Sequence, residues 1–212
     1  MNKRSTTGRY KRFAAALSLL LLGACGALGP TNTPPPTFYS LDRPIGAAPL
    51  ATPAVAQTAT LTLVINPPHA AAGFDSQRII YVREPHKLDY FAHSQWVDPP
   101  ARMLAALLLV AIEHSGVFRA VVLTPGAATG DLRLDTEIIR LQHEFQSVPS
   151  RVRFTLRATL VDDKTRRVLA GREFEAVVPA GSEDPYGGVV AANLAVQTVI
   201  ENLAQFLAEG QK

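Results

Sequence analysis

The residue with the most distinctive chemical surroundings is Cys25, the single cysteine of the 212-residue chain. It ends the run Leu22-Gly23-Ala24-Cys25, which matches the bacterial lipobox, in which the thiol receives a diacylglyceryl group before the signal is cleaved. A basic start and a ten-residue apolar run, 13–22, precede it in the order typical of a secretory signal peptide. We therefore predict a lipoprotein signal peptide over 1–24, cleavage between Ala24 and Cys25, and fatty acyl chains such as palmitate on Cys25 as the attached group, with no other cofactor.

The apolar run is too short to act as a permanent membrane span. Ten helical residues extend about 15 Å, half of the roughly 30 Å hydrocarbon core of a bilayer. A lone cysteine is more commonly a small buried residue, but here the basic flank, the apolar run, the small residues and the cysteine occur in the order of a lipoprotein signal. The residue after the cysteine is Gly26 rather than the Asp associated with inner-membrane retention. In a diderm bacterium this favours the periplasmic face of the outer membrane.

The charge of the chain changes once the signal peptide is removed. Five of the 21 Lys and Arg residues precede Cys25, so that 16 remain against 18 Asp and Glu, a formal charge of −2. This balance removes the main support for nucleic-acid binding. Because no second cysteine is present, we also expect neither an intramolecular disulfide nor a cysteine-based zinc site.

Patterns typical of catalysis or metal binding do not stand out. The five histidines are scattered, and the sequence contains no G-x-S-x-G, H-E-x-x-H or Gly-rich phosphate motif. His114 and Ser115 are adjacent on a predicted helix, where neighbouring side chains point in different directions. The carboxylate pairs at 162–163 and 183–184 fall in predicted turns. We therefore predict no catalytic residue, no metal site and no enzymatic activity.

An aromatic stretch over 78–100 is the second unusual feature. It carries Tyr81, Tyr90, Phe91 and the only tryptophan, Trp96, among side chains otherwise too polar for a core run. Tyr and Trp are enriched in contact surfaces because they bury a large area at small entropic cost. These four residues are candidate partner contacts. The alternative is that they cap the first helix and close the edge of the core, and the two interpretations are compatible.

The rest of the sequence predicts the elements that must position these residues. After the signal peptide, 25–58 is a Pro/Ala-rich tether with a short strand at 37–42, and 59–212 is one domain. Alternating apolar residues predict strands at 60–66, 78–82, 117–123, 131–145, 151–161 and 168–178, the last three forming an antiparallel meander. A shift in the apolar phase at Ile138-Ile139 predicts a β-bulge in the first strand of that meander.

Two helices complete the predicted domain. The first has Asp98 as N-cap, Pro99 at the first helical position and Gly116 as its stop. It is apolar on nearly all sides, which indicates a helix either buried in the core or part of an interface. The second runs from 184–185 to about 208, at some cost from two glycines near its start. The expected fold class is α+β, with a mixed, mostly antiparallel sheet packed against two helices.

In these segments the chain resembles the ABC-type transport auxiliary lipoprotein family, the PqiC-like lipoproteins that accompany mammalian-cell-entry (MCE) domain systems. The matching stretches span about 37–208 and are, in order, "FYSLD", "RIIYV", "LDYFAHSQWVDPPARML", "SGVFRAVV", "DLRLDTEIIRLQHEF" and "LRATLVDDKTRRVLAGREFE". The resemblance implies a non-catalytic, lipid-anchored periplasmic component that supports transport of lipids or hydrophobic substrates between membranes. It implies an MCE-domain protein with its ABC permease and ATPase as partners. Since MCE proteins form rings, a homo-oligomeric ring is a further expectation, with the apolar helix at 99–115 as a candidate surface.

Two other functions remain open at this point. An outer-membrane assembly or secretion-system lipoprotein would share the anchor and the α+β domain. A lipid-anchored hydrolase would need a nucleophile and a base at suitable spacing, and the sequence shows no such pattern.

Overall fold

The computed structural model describes residues 34–42, 59–126 and 129–210. The predicted signal peptide, Ala24, Cys25 and most of the tether lie outside these ranges. The described part contains two helices, α1 (Pro100–His114) and α2 (Pro185–Glu209), and neither is long and apolar enough to cross a membrane. It also contains nine strands: β1 (Thr37–Tyr39), β2 (Thr62–Ile65), β3 (His69–Ala70), β4 (Arg78–Val82), β5 (Asp89–Trp96), β6 (Ala120–Leu123), β7 (Leu132–Glu144), β8 (Arg151–Asp162) and β9 (Val168–Pro179).

The longest part of the sheet is the antiparallel meander of β7, β8 and β9, as predicted. Along β8, alternate apolar side chains are buried against α2, and the intervening positions carry arginines and threonines. The register of β7 against β8 shifts between Ile138 and Arg140. The bulge predicted from the apolar phase at Ile138-Ile139 is therefore confirmed.

The other edge of β7 pairs in parallel with three short strands. Its first residues pair with β2, its middle with β3 and its last two with β4. From β2 the sheet continues to β6, and from β4 it continues through β5 to β1. The sheet is thus mixed, and its long antiparallel ladders contain most of the paired residues. β5, which contains three of the four aromatic residues, was not predicted as a strand, and β1 is shorter than the predicted 37–42.

Helix α2 begins as the sequence predicts. Asp184 is its N-cap, and its carboxylate accepts a hydrogen bond of 2.8 Å from the backbone N–H of Gly187. The glycines near its start are required by close packing: a Cβ on Gly188 would fall inside van der Waals contact of His143 Nδ1. The apolar stripe of α2, from Val189 to Leu207, is buried against β8 and β9.

Helix α1 starts one residue later than predicted, and Asp98 is not its N-cap. The N-cap residue is Pro99, with φ −50° and ψ 134°, and no side chain caps the helix. A residue that precedes a proline is pushed out of the helical region, so Pro99 before Pro100 delays the start. The Asp98 carboxylate instead accepts a hydrogen bond of 3.2 Å from Arg102. The predicted stop is confirmed, because Gly116 has a left-handed φ of 66°.

Candidate functional site

The four aromatic residues singled out in the sequence do not form one surface. Tyr81 lies on β4, while Tyr90 and Phe91 are neighbours on β5 and therefore point to opposite faces of the sheet, so that Phe91 and not Tyr90 meets Tyr81. Trp96, at the end of β5, is only 3% exposed and belongs to the hydrophobic core, where it lines a small cavity with Gly188 and Ala192 of α2. For Trp96 the core interpretation therefore holds, and the ring is not available to a partner. The other three stay candidates for contact.

Tyr81 and Phe91 form an aromatic cluster with two residues from the end of β7. The ring centroids of Tyr81 and Phe91 are 4.7 Å apart, and Phe145 meets Tyr81 edge-on at 5.9 Å. His143 stacks on Phe145 at 4.1 Å. The guanidinium of Arg83 lies 4.7 Å from the Phe145 centroid, within cation–π range. Such a cluster has well-defined ring positions, which is the property that suits a contact surface.

Tyr90 is the most accessible of the predicted contacts, with 51% of its surface exposed. The guanidinium of Arg78 lies over its ring at 4.3 Å, which holds the ring in place. Beside it is an open depression of about 430 Å³, bordered by Asp75 and by Leu88, which is 47% exposed. The depression is thus lined by the opposite charges of Asp75 and Arg78 and by the apolar side chain of Leu88.

His143 also belongs to a buried polar network that the sequence did not reveal. Its Nε2 is 2.8 Å from the hydroxyl of Ser150, and the backbone N–H of Ser150 donates to the carboxylate of Glu183 at 2.8 Å. Burial lowers the pKa of His143, although the nearby carboxylates of Glu183 and Asp184 oppose this effect. The network joins β7, the start of β8 and the segment before α2.

The Ser150–His143 pair is not arranged for nucleophilic catalysis. The side chain of Ser150 is fully buried, and Nδ1 of His143 has no hydrogen-bond partner in the described structure, where a triad would place an orienting acid. A substrate has no access to the hydroxyl. The pair therefore acts as a structural link, and the sequence could not predict it because the two residues meet only through the β7–β8 turn.

The face of the sheet opposite the helices carries a network of ion pairs. Glu144, whose side chain is 6% exposed, lies between Arg151 at 3.0 Å and Arg153 at 2.8 Å, and Arg153 also reaches Glu175 at 2.6 Å. Burial raises the pKa of Glu144, but hydrogen bonds from Arg153, Gln142 and Arg151 outweigh it and leave the pKa below its usual range. The arginines of β8 are thus engaged by carboxylates of its neighbours.

An apolar groove lies between α1 and α2, and we call it the interhelical groove. Its volume is about 310 Å³, at the lower end of the range for ligand pockets. Its walls are the apolar residues Ala106, Leu107, Val110, Ala111, Val196, Ile200 and Ala204. Polar residues stand around it, namely Asp42, His114, Asn193, Gln197 and Glu201.

The residues that follow β1 border the interhelical groove. Asn193 accepts a hydrogen bond from the backbone N–H of Asp42 at 2.8 Å and donates to the carbonyl of Ser40 at 3.2 Å. One indication of this site is present in the sequence, because the apolar residues of α1 extend beyond a single stripe. The groove itself depends on how α1 and α2 pack, which local periodicity does not contain.

Metal ligands do not cluster within the described ranges, where no group of three His, Cys, Asp or Glu side chains is close enough to hold an ion. The described surface offers stacked rings beside arginines on one part and an apolar groove with acidic residues on another.

The comparison with protein families bears on the functions left open by the sequence. The family model of the ABC-type transport auxiliary lipoprotein component matches residues 39–205, most of the chain. The chain belongs to this family. The match covers β5, the aromatic cluster and both walls of the interhelical groove, so that all three features lie in the family's own domain.

Solved structures share the fold. A crystal structure of a Xanthomonas campestris protein is similar with a TM-score of 0.70 and 26% identity, covering 82% of this chain and 95% of that one. A second crystal structure, of an uncharacterized protein, has a TM-score of 0.63 at 10% identity and covers 82% and 99% of the two chains. No curated protein matches the sequence. Family membership makes the chain a lipoprotein of the cell envelope and an auxiliary component of ABC-type transport.

Proposed function

We propose that this auxiliary lipoprotein serves an ABC transport system with an MCE-domain partner and supports the movement of lipids or other hydrophobic molecules between the two membranes. The observation that carries the proposal is the family match over residues 39–205. The chain has no phosphate-binding loop of its own, so a separate ATPase supplies the energy. Its own contribution is to bind a partner while anchored to a membrane.

The proposed anchor is the lipid on Cys25, at the periplasmic face of the outer membrane. Three acyl chains at about 0.8 kcal/mol per buried CH₂ hold a protein permanently, whereas one chain binds only marginally. In the full chain, Cys25→Ala should move the protein from the membrane fraction to the soluble fraction or leave it unprocessed at the inner membrane. A variant found in the outer membrane after a salt wash would overturn the anchor.

The proposed contacts are Tyr90 on one face of β5 and the aromatic cluster of Tyr81 and Phe91 on the other. Tyr90 is exposed and held by Arg78, so its ring is placed for contact before a partner arrives. An ordered aromatic ring loses little entropy on binding, which is why such residues act as hot spots. We expect Tyr90→Ser to weaken partner binding, and Val168→Ser, at a 63% exposed position of β9, to leave it unchanged.

Affinity purification of the tagged full chain from envelopes of its native host tests the partner. The proposal predicts an MCE-domain protein and its ABC permease in the purified complex, reduced by Tyr90→Ser and not by Val168→Ser. Recovery of an outer-membrane barrel or secretion protein instead would favour the assembly-lipoprotein alternative and contradict the proposal.

A homo-oligomeric ring is a further part of the proposal, because MCE partners are ring-shaped. Among the described residues of α1, Leu104, Leu108 and Ile112 are fully buried in the monomer core, which leaves its half-buried side chains for any contact between copies. The mass of the purified full chain measures this directly. A strict monomer at high concentration would exclude the ring.

A further inference from the structure

The helical layer of the domain is acidic. Together α1 and α2 contain one Lys or Arg residue, Arg102, and its guanidinium is already paired with Asp98 at 3.2 Å. The same two helices contain three glutamates, Glu113, Glu201 and Glu209, and none of them forms an ion pair with another described residue. The arginines that the fold does expose lie mainly on the opposite face of the sheet, where carboxylates engage them.

The interhelical groove lies in this acidic layer and carries a carboxylate on each of two sides. Asp42 borders it where β1 ends, and Glu201 borders it on α2. The lining residues include no lysine or arginine. The groove therefore combines apolar walls with a negative border.

Exposed apolar side chains also lie on α2 beside the groove, toward the N-terminus of the helix. Tyr186, Val190 and Leu194 are 63%, 42% and 43% exposed, and they are spaced four residues apart on one side of the helix. From Tyr186 to Ala204 at the far part of the groove, α2 advances roughly 27 Å. This distance corresponds to about five helical turns. A pocket of about 310 Å³, by contrast, has the size that suits one small molecule.

We propose that the interhelical groove and the shoulder formed by Tyr186, Val190 and Leu194 bind an amphipathic helix of another protein that carries basic residues beside its apolar stripe. Side chains at i, i+3, i+4 and i+7 of such a helix enter the groove between α1 and α2. Its lysines or arginines then lie against Asp42 and Glu201. The proposal rests on the proposed function in one respect, since it takes the helix to come from a component of the transport system.

The same charges disfavour two other occupants. An anionic phospholipid head would be placed beside the carboxylates of Asp42 and Glu201, and like charges repel. A second copy of the chain, docked by the same groove, would bring its own Glu201 into the same layer and add no basic residue. Both remain distinct outcomes of the experiment.

Photo-crosslinking in the native host identifies the occupant. The full chain carries a benzophenone amino acid at Ala106, an exposed position of the groove wall, and in the control at Lys164, an exposed turn residue. We expect an adduct from Ala106 alone, whose mapped peptide comes from another protein and has an apolar stripe at helical spacing flanked by Lys or Arg. An adduct with lipid, an adduct with the chain itself, or no adduct from a folded and correctly located protein would overturn the proposal.

Charge reversal tests the electrostatic part. Glu201→Lys should lower the adduct yield about tenfold, because it places a positive charge against the basic helix, and Glu201→Gln should lower it less. Glu209→Lys makes the same charge change on the same helix outside the groove and should leave the yield unchanged. Equal effects of the two lysine variants would contradict the proposal, and thermal unfolding of each variant confirms that it is folded.

The outcomes separate this proposal from the proposed function. A basic helix of an unrelated envelope protein in the groove would support the groove proposal and contradict the MCE partnership. A purified complex with the MCE protein whose groove adduct is a lipid would support the partnership and contradict the basic helix.

Discussion

Replacing Gly188 by alanine tests a closely packed contact between α2 and β7. The new Cβ would fall inside van der Waals contact of His143 Nδ1, 3.0 Å from its Cε1 and 3.2 Å from its Cγ. The imidazole has little room to retreat, because Ser150 holds its Nε2 at 2.8 Å and Phe145 stacks on it at 4.1 Å. Either the ring leaves its hydrogen bond or α2 moves away from β7.

Two effects of opposite sign set the magnitude. Alanine is better than glycine in a helix interior by about 0.8–1.0 kcal/mol, and the gain is smaller here because Gly188 lies in the first turn of α2. Overpacking a tight core costs about 1–3 kcal/mol, and the pinned ring puts this site toward the upper part of that range. We expect a net destabilisation of about 1–2 kcal/mol, or a fall in Tm of about 2–8 °C.

Thermal and urea unfolding of the purified protein measure the effect. Gly181→Ala is the matched control, because a Cβ there meets nothing within 4 Å, and it should be neutral or slightly stabilising. In a His143→Ala background the ring is gone, so Gly188→Ala should become neutral or stabilising. A Gly188→Ala protein as stable as the parent, or an unchanged penalty in the His143→Ala background, would refute the packing argument.

Three further predictions concern charge and capping. The folded pKa of His143 lies below its ordinary value of 6.5, so the unfolded chain binds the extra proton first and the free energy of unfolding should fall as pH decreases from about 6.5 toward the folded pKa. Urea midpoints at pH 7.5 and 5.5 measure this fall, and His143→Gln should remove that part of the pH dependence. Glu144→Gln leaves Arg151 and Arg153 without their shared carboxylate and should lower the free energy of unfolding by about 1–3 kcal/mol. The lower end of this range is expected, because both arginines are partly exposed and solvent screens their charges. A urea midpoint equal to that of the parent would contradict the ion-pair assignment. Asp184→Ala removes the N-cap of α2 and should cost about 1 kcal/mol, with Asp184→Asn as the control that keeps a capping oxygen.

The sequence predicted the elements whose pattern is local. The meander from β7 to β9 and the bulge at Ile138-Ile139 follow from alternation of apolar residues, and each is found as expected. The start of α2 at Asp184 follows from capping chemistry. At Asp98 the same reasoning failed, because two consecutive prolines moved the start of α1 and left the carboxylate to Arg102.

The parts that could not be predicted depend on contacts between distant segments. β5 lacks clear alternation, since it runs at the boundary of the sheet with mixed exposure, and its partners β1 and β4 determine its conformation. The apolar Trp96 and the exposed Tyr90 lie six residues apart on this strand, and composition alone does not separate their environments. The interhelical groove likewise requires the packing of α1 on α2.

The most direct measurement of the central claim is the transfer of labelled phospholipid between the inner and outer membranes of cells lacking the chain. We predict slower transfer than in the parent, restored by the intact chain and not by the Cys25→Ala variant. Unchanged transfer, accompanied by a loss of outer-membrane barrel assembly, would contradict the transport role and support an assembly function.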